Sequence, residues 1–130
     1  RVTWPNGAVA TVFTAENYEQ LRGAQFECVW IDEFAKFRNS LEMWQQMNFC
    51  LRVGPDPRAI ITTTPRPISM MHQLLEGERE WVAVTRGTTF DNAANLSPHF
   101  IKHIQNLYKG TSLGKQELYG EMLSDVEGAL

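Results

Sequence analysis

Two short apolar runs, Phe26 to Ile31 and Ala59 to Thr63, lead into polar side chains, and Asp32 after the first stands thirty positions before Thr62 in the second. That separation suits one strand, helix, strand crossover, because parallel neighbours need a connection of a dozen or more residues. Both strand tips then lie on the same edge of one sheet. The nearly continuous apolar character of Phe26 to Ile31 is that of a strand buried on both faces of a parallel sheet. Between the runs, Ser40 can cap a helix whose apolar positions Leu41, Trp44, Met47 and Leu51 recur at helical spacing. Gly54-Pro55-Asp56-Pro57 then forbids its continuation.

The remaining segments follow the same alternation. Trp4-Pro5-Asn6-Gly7 is turn chemistry, and Ala8 to Thr14 after it reads as a strand. Glu16 to Leu21 reads as a short helix stopped at Gly23. Further on, Ile68 to Leu75 is expected to be helical and Glu80 to Thr85 a strand. Ser97-Pro98 opens a helix with proline in its first turn and Phe100, Ile101, Ile104 and Leu107 on one side. A last helix is expected at about Leu113 to Leu123. The expected fold is therefore α/β, a largely parallel sheet flanked by helices with a helical C-terminal segment.

Composition narrows the class. With 43% hydrophobic and 21% charged residues in 130, one domain with a real core is expected, and disordered, collagen-like and coiled-coil classes are poorly supported. No apolar run reaches the ~18 to 20 residues that cross a bilayer, so the expectation is a soluble, intracellular chain without a membrane partner. Twelve Lys and Arg against fifteen Asp and Glu leave a net charge of −3, so any contact with nucleic acid must be local. Cys28 and Cys50 are expected as buried thiols, and no Cys/His spacing marks a zinc site. The start at Arg1 and the end at Leu130 look like cuts from something longer.

The chemistry concentrates at Cys28-Val29-Trp30-Ile31-Asp32-Glu33, an apolar strand ending in two carboxylates. In open α/β sheets ligands bind at the carboxyl ends of strands. A hard cation such as Mg²⁺ takes one or two carboxylates plus waters and phosphates, which gives Asp32 a role. Glu33, projecting to another side, could face an attacking water. The alternative is a merely polar strand end that caps the next turn. The hydroxyls of Thr62, Thr63 and Thr64 at the second tip could bind a phosphate or hold a water. His99 and His103 stand four apart on an expected helix but lack a third ligand, so they read as solvent-facing. Trp30, Trp44 and Trp81 read as packing residues. Arg58, Arg66 and Arg86 stand near strand ends, where approach to phosphate and a solvated face are equal readings.

Trp30-Ile31-Asp32-Glu33 resembles a Walker B strand of P-loop NTPases of the ASCE type, with the extra Glu of the branch that uses a catalytic glutamate. Ile61-Thr62-Thr63-Thr64-Pro65 resembles the coupling motif of the bacteriophage large terminase subunit, a DNA-packaging ATPase. Leu21-Arg22-Gly23, Thr88-Thr89-Phe90-Asp91-Asn92 and Gly120-Glu121 are similar to further segments of that family, in the same order. The resemblance implies that Asp32 holds Mg²⁺ through its water shell and that Glu33 orients or deprotonates the water attacking ATP. It implies that Thr62, Thr63 and Thr64 sense the γ-phosphate, and that Arg22 is an arginine finger serving a neighbouring subunit; the alternative for Arg22 is an ordinary surface or cap-bonding arginine.

The same resemblance implies the later half of an ATPase domain over residues 1–130, with 97–130 as a helical extension toward a nuclease domain. It further implies double-stranded DNA, a portal protein and a small terminase subunit as partners, a homo-oligomeric ring, and the host cell cytoplasm as location. One departure is large. No G-x-x-x-x-G-K-[ST] loop occurs among the 130 residues, so the cradle for the β and γ phosphates is expected upstream of Arg1. Gly110 to Gln116 imitates it without the glycine spacing, without a hydroxyl after Lys115, and between two helices. The missing strand is expected beside the one ending at Thr62, on the side away from Asp32. The alternatives are a helicase-like ATPase, whose usual D-E-x-[DH] string Phe34-Ala35 does not complete, and a degenerate α/β interaction module.

Overall fold

A parallel pair of strands organises the first of the two units, Arg1–Thr62 and Thr63–Leu130, into which the chain divides. The structure is a computed structural model and describes residues 1–77 and 80–122. In the first unit, β1 (Val2–Thr3) and β2 (Val9–Ala10) form an antiparallel hairpin. Its turn is closed by Gly7 N–H donating to Trp4 O at 3.0 Å and Trp4 N–H to Ala8 O at 2.9 Å. The strand expected over Ala8 to Thr14 is thus only two residues long. Its continuation finds no ladder partner among the described residues, and Val12 is 78% exposed.

A 3-10 helix at Ala15–Leu21, kinked at Asn17, leads to Gly23 at φ +79°, the left-handed stop that the sequence calls for. Next come β3 (Cys28–Asp32), α1 (Ser40–Cys50) and β4 (Arg58–Thr62). β3 and β4 pair in parallel with Cys28 opposite Arg58 and Asp32 opposite Thr62. The crossover read from the thirty-residue spacing is present. The burial expected of it is not: among the described residues β3 has one neighbour, and its exposure alternates. Val29 and Ile31 are covered, Ile31 to 5% exposure, whereas Cys28, Trp30 and Asp32 on the opposite face are exposed. Trp30 and Cys28 are therefore corrected from core to surface, because a strand alternates and only one of its faces is covered here. Among the described residues, the outer edges of β3 and β4 are both unpaired.

The helix face also differs from the expected stripe. Met43, Met47 and Cys50 face inward, Trp44 is half-buried and Leu41 is 45% exposed. Apolar residues occur on more than one side of α1, so its period does not select a face; the neighbours do. Cys50 Sγ donates to Leu21 O at 3.0 Å, and burial pushes its thiol pKa up. Asn39, at the N-cap position, gives its amide to Ala15 O at 3.0 Å instead of capping α1. Phe34 is fully buried against the rings of Phe37 and Trp44.

In the second unit, α2 (Ser69–His72) runs into a π-helical stretch at Gln73–Gly77, burying Met70, Met71 and Leu74. Glu80 to Thr85 forms no strand among the described residues, and Trp81 is 88% exposed rather than packed. An apolar run without a hydrogen-bonding neighbour stays irregular. Thr88 and Asp91 form a reciprocal capping box on a 3-10 helix at Thr89–Asn95. This gives that stretch of sequence a structural task. Then follow α3 (Pro98–Tyr108), with proline in its first turn as expected, and α4 (Ser112–Tyr119). His99 and His103 are exposed. The rings of Tyr119 and Phe90 meet at 5.3 Å, tilted by 43°. Leu123, the expected end of the last helix, lies outside the described residues. No helix among them is long and apolar enough to cross a membrane.

Gly110 and Thr111 lie in the joint between α3 and α4, while Ser112 to Gln116 already belong to α4. Thr111 Oγ1 caps that helix by accepting the Gly114 N–H at 2.9 Å while donating to Tyr108 O at 2.9 Å. The loop thus bonds to itself. A Cβ on Gly114 would stand 2.2 Å from Tyr108 O, a backbone atom that cannot swing aside. Gly114→Ala is expected to cost about 1 to 3 kcal/mol, the usual range for forced overpacking. Chemical denaturation of the variant checks this; an unchanged midpoint would show that the joint opens freely.

Candidate functional site

The ends of β3 and β4 carry an acid and a hydroxyl side by side. Asp32 and Thr62 are cross-strand partners, and Thr62 Oγ1 donates to Asp32 Oδ1 at 2.7 Å. The same Thr62 oxygen accepts the indole N–H of Trp30 at 2.9 Å. Two residues apart on one strand, Trp30 and Asp32 share a face, so Thr62 can bridge them. Glu33 N–H donates to Thr62 O at 2.7 Å, which carries the pairing one step past the strand.

Glu33 itself leaves the strand. Its backbone is left-handed at φ 54°, ψ 42°, and among the described residues it is the one non-glycine with positive φ. This conformation costs an ordinary L-residue about 1 to 2 kcal/mol. It turns the chain sharply into a 3-10 turn at Phe34–Lys36, sending Phe34 inward. Strand alternation was expected to separate Asp32 from Glu33; the left-handed corner does so instead. Oε2 of Glu33 is withdrawn from solvent and faces Lys36 Nζ at 3.4 Å, although the side chain as a whole is 42% exposed.

Asp32 is exposed, and beyond Oδ1 its carboxylate makes no hydrogen bond or ion pair among the described residues. No group of three or more His, Cys, Asp or Glu side chains converges there or elsewhere among them. One free carboxylate oxygen with open surroundings does not make a protein-only cage. It does match the way Mg²⁺ is held, by a carboxylate, waters and substrate phosphates.

Thr63 and Thr64 follow directly along the chain, in the second unit. Thr63 Oγ1 donates to Thr64 O at 3.0 Å, and both residues are half-buried. Arg22 lies at the end of the first 3-10 helix, its backbone N–H on Glu19 O at 3.0 Å. Its side chain is exposed and ion-paired with no acid among the described residues. Arg58 belongs to the opposite end of β4, where it is paired with Asp56 and its pKa is raised by that hydrogen bond. Sequence reasoning missed Trp30 and Lys36 as neighbours of the acids. Period-two alternation from Asp32 was the available signal for Trp30; the left-handed turn that delivers Lys36 leaves none.

A parallel strand, helix, strand unit presenting an acid and a hydroxyl at its carboxyl edge is the arrangement α/β proteins use to meet a ligand. The family described as terminase large subunit, T4likevirus-type, N-terminal, matches residues 1–130. The chain belongs to that family, which gives it a role in phage DNA packaging, and large terminase subunits are in general ATPases. The region matched is the N-terminal one of the subunit. No curated protein and no solved structure matches the chain.

Proposed function

We propose that residues 1–130 supply the water-activating and cation-holding part of a packaging ATPase that drives double-stranded DNA into a procapsid, the later half of the ATPase domain within the subunit's N-terminal region. The observation that carries this reading is the Thr62 to Asp32 hydrogen bond at the shared strand end. Asp32 would hold Mg²⁺ through its free carboxylate oxygen, and that ion would neutralise charge on the phosphates of ATP. Glu33, displaced from the strand by its left-handed corner, would accept the proton of the attacking water. Thr62 steadies Asp32, while Thr63 and Thr64 stand where the chain leaves the site and would report the state of the γ-phosphate. Arg22, exposed and without an acidic partner among the described residues, would reach the nucleotide of a neighbouring subunit in a homo-oligomeric ring, where a guanidinium stabilises the transferring phosphoryl. A portal protein and a small subunit complete the machine in this reading. The loop that cradles the phosphates is not among these residues, so residues 1–130 by themselves are expected to show no turnover.

The test uses the full-length subunit, assayed in one preparation for ATP turnover, DNA packaging and strand separation. Turnover with packaging and without strand separation is expected. Strand separation would favour a helicase-like ATPase, and absence of turnover a non-catalytic interaction module. Arg22→Ala subunits mixed with Asp32→Ala subunits should regain activity that neither has alone. If no ratio restores it, the action of Arg22 across the subunit boundary is lost.

A further inference from the structure

We infer that Trp30 is a positioning residue for Asp32, acting through the Thr62 hydroxyl, and that this hydroxyl is committed to the carboxylate rather than to phosphate. The inference rests on the proposed role of Asp32 as cation ligand. A threonine hydroxyl has a single hydrogen to give. Here it goes to Asp32 Oδ1 at 2.7 Å, and the indole N–H of Trp30, which is a donor only, arrives at the same oxygen at 2.9 Å. The indole fixes the direction of the hydroxyl, because with one lone pair occupied the hydrogen is turned toward the carboxylate. The carboxylate is then held at Oδ1, which leaves its other oxygen for a cation. Partners of this kind, one bond removed from a metal, set the orientation of its ligand.

The placement of Trp30 supports this assignment. At 69% exposure its ring contributes little to a core, yet its N–H is engaged. The parallel register keeps the three groups together, since Trp30 lies opposite Ile60 and Asp32 opposite Thr62 on one face of the strand pair. The first hydroxyl of the threonine run is therefore committed to the acid.

The experiment measures, in the full-length protein, the Mg²⁺ concentration that half-saturates nucleotide binding, with Trp30→Phe, Thr62→Val, Thr62→Ser and Asp32→Asn beside the wild type. Mn²⁺ binding followed by electron paramagnetic resonance gives a second readout that does not depend on turnover. Trp30→Phe keeps an aromatic ring and removes the pyrrole half with its N–H donor; because Trp30 is 69% exposed, the lost ring area should leave folding intact. Trp30→Phe and Thr62→Val are expected to raise the cation requirement about tenfold, the lower end of what removal of such a partner costs. Thr62→Ser, which keeps the hydroxyl, should restore it. An unchanged requirement in Trp30→Phe and Thr62→Val, with Asp32→Asn altered, overturns the positioning role alone. An unchanged requirement in Asp32→Asn removes Asp32 as ligand and the inference with it.

Discussion

Glu33→Gln in the full-length subunit is expected to lower ATP turnover by about 10² to 10⁴, the contribution of a positioned general base, while nucleotide binding persists. The substitution is nearly isosteric. It keeps the side chain's reach and leaves the backbone at φ 54°, where Glu33 N–H holds Thr62 O at 2.7 Å. It removes the ability to take a proton. It also ends the ion pair with Lys36, but that pair is half-exposed, with side-chain exposures of 51% and 42%. Exposed pairs of this kind contribute only about 0 to 1 kcal/mol, so loss of fold does not explain a loss of turnover. Single-turnover kinetics with a separate binding measurement distinguish the two. Near-normal turnover in Glu33→Gln would exclude Glu33 as the base.

The order of strands and helices around the site was legible because it depends on spacing. Thirty residues between Asp32 and Thr62, a capped apolar segment between them and two prolines to end it leave a parallel crossover as the economical arrangement, and β3, α1 and β4 follow it. What spacing does not encode is which face is covered. Trp30 and Ile31 are neighbours in a uniformly apolar run, yet one is 69% and the other 5% exposed. That difference depends on which face of the strand pair other elements cover, a tertiary fact with no local signature. Glu80 to Thr85 shows the same limit, since its alternating residues fit a strand but strand formation needs a neighbour to bond.

The site divides in the same way. The carboxylates and the threonine run could be recognised as chemistry at strand ends, since residue type and position relative to an apolar run are both sequence properties. The left-handed Glu33 could not. Glycine or asparagine at a corner advertises positive φ, whereas a glutamate there is visible only in the fold. Strain at a residue with a candidate chemical role is a common association, because a precise side-chain direction can outweigh a backbone cost of ~1 to 3 kcal/mol. Something in the neighbourhood must supply that stabilisation, and the residue directly after Glu33 is fully buried.

Phe34→Ala is expected to destabilise the protein by about 3 to 5 kcal/mol, the range for emptying a fully buried aromatic position. Phe34 has 0% exposure and meets Phe37 edge-on at 5.8 Å and 79°, and Trp44 of α1 at 6.0 Å. A loss of that size is a large part of the ~5 to 15 kcal/mol that holds a typical domain together. The effect should extend to the site, because burial of Phe34 holds the 3-10 turn in which Lys36 N–H bonds Glu33 O at 2.9 Å and Phe37 N–H bonds Phe34 O at 3.1 Å. Without the ring, Glu33 has less reason to remain left-handed and can relax toward ordinary extended backbone. Denaturant titration of the full-length variant measures the first effect, and amide hydrogen exchange at Lys36 and Phe37 the second. Phe34→Leu, which restores most of the volume, should recover a large share of both. If Phe34→Ala lowers stability but leaves exchange at those two amides unchanged, the corner at Glu33 is held by its bond to Thr62 and not by the buried ring.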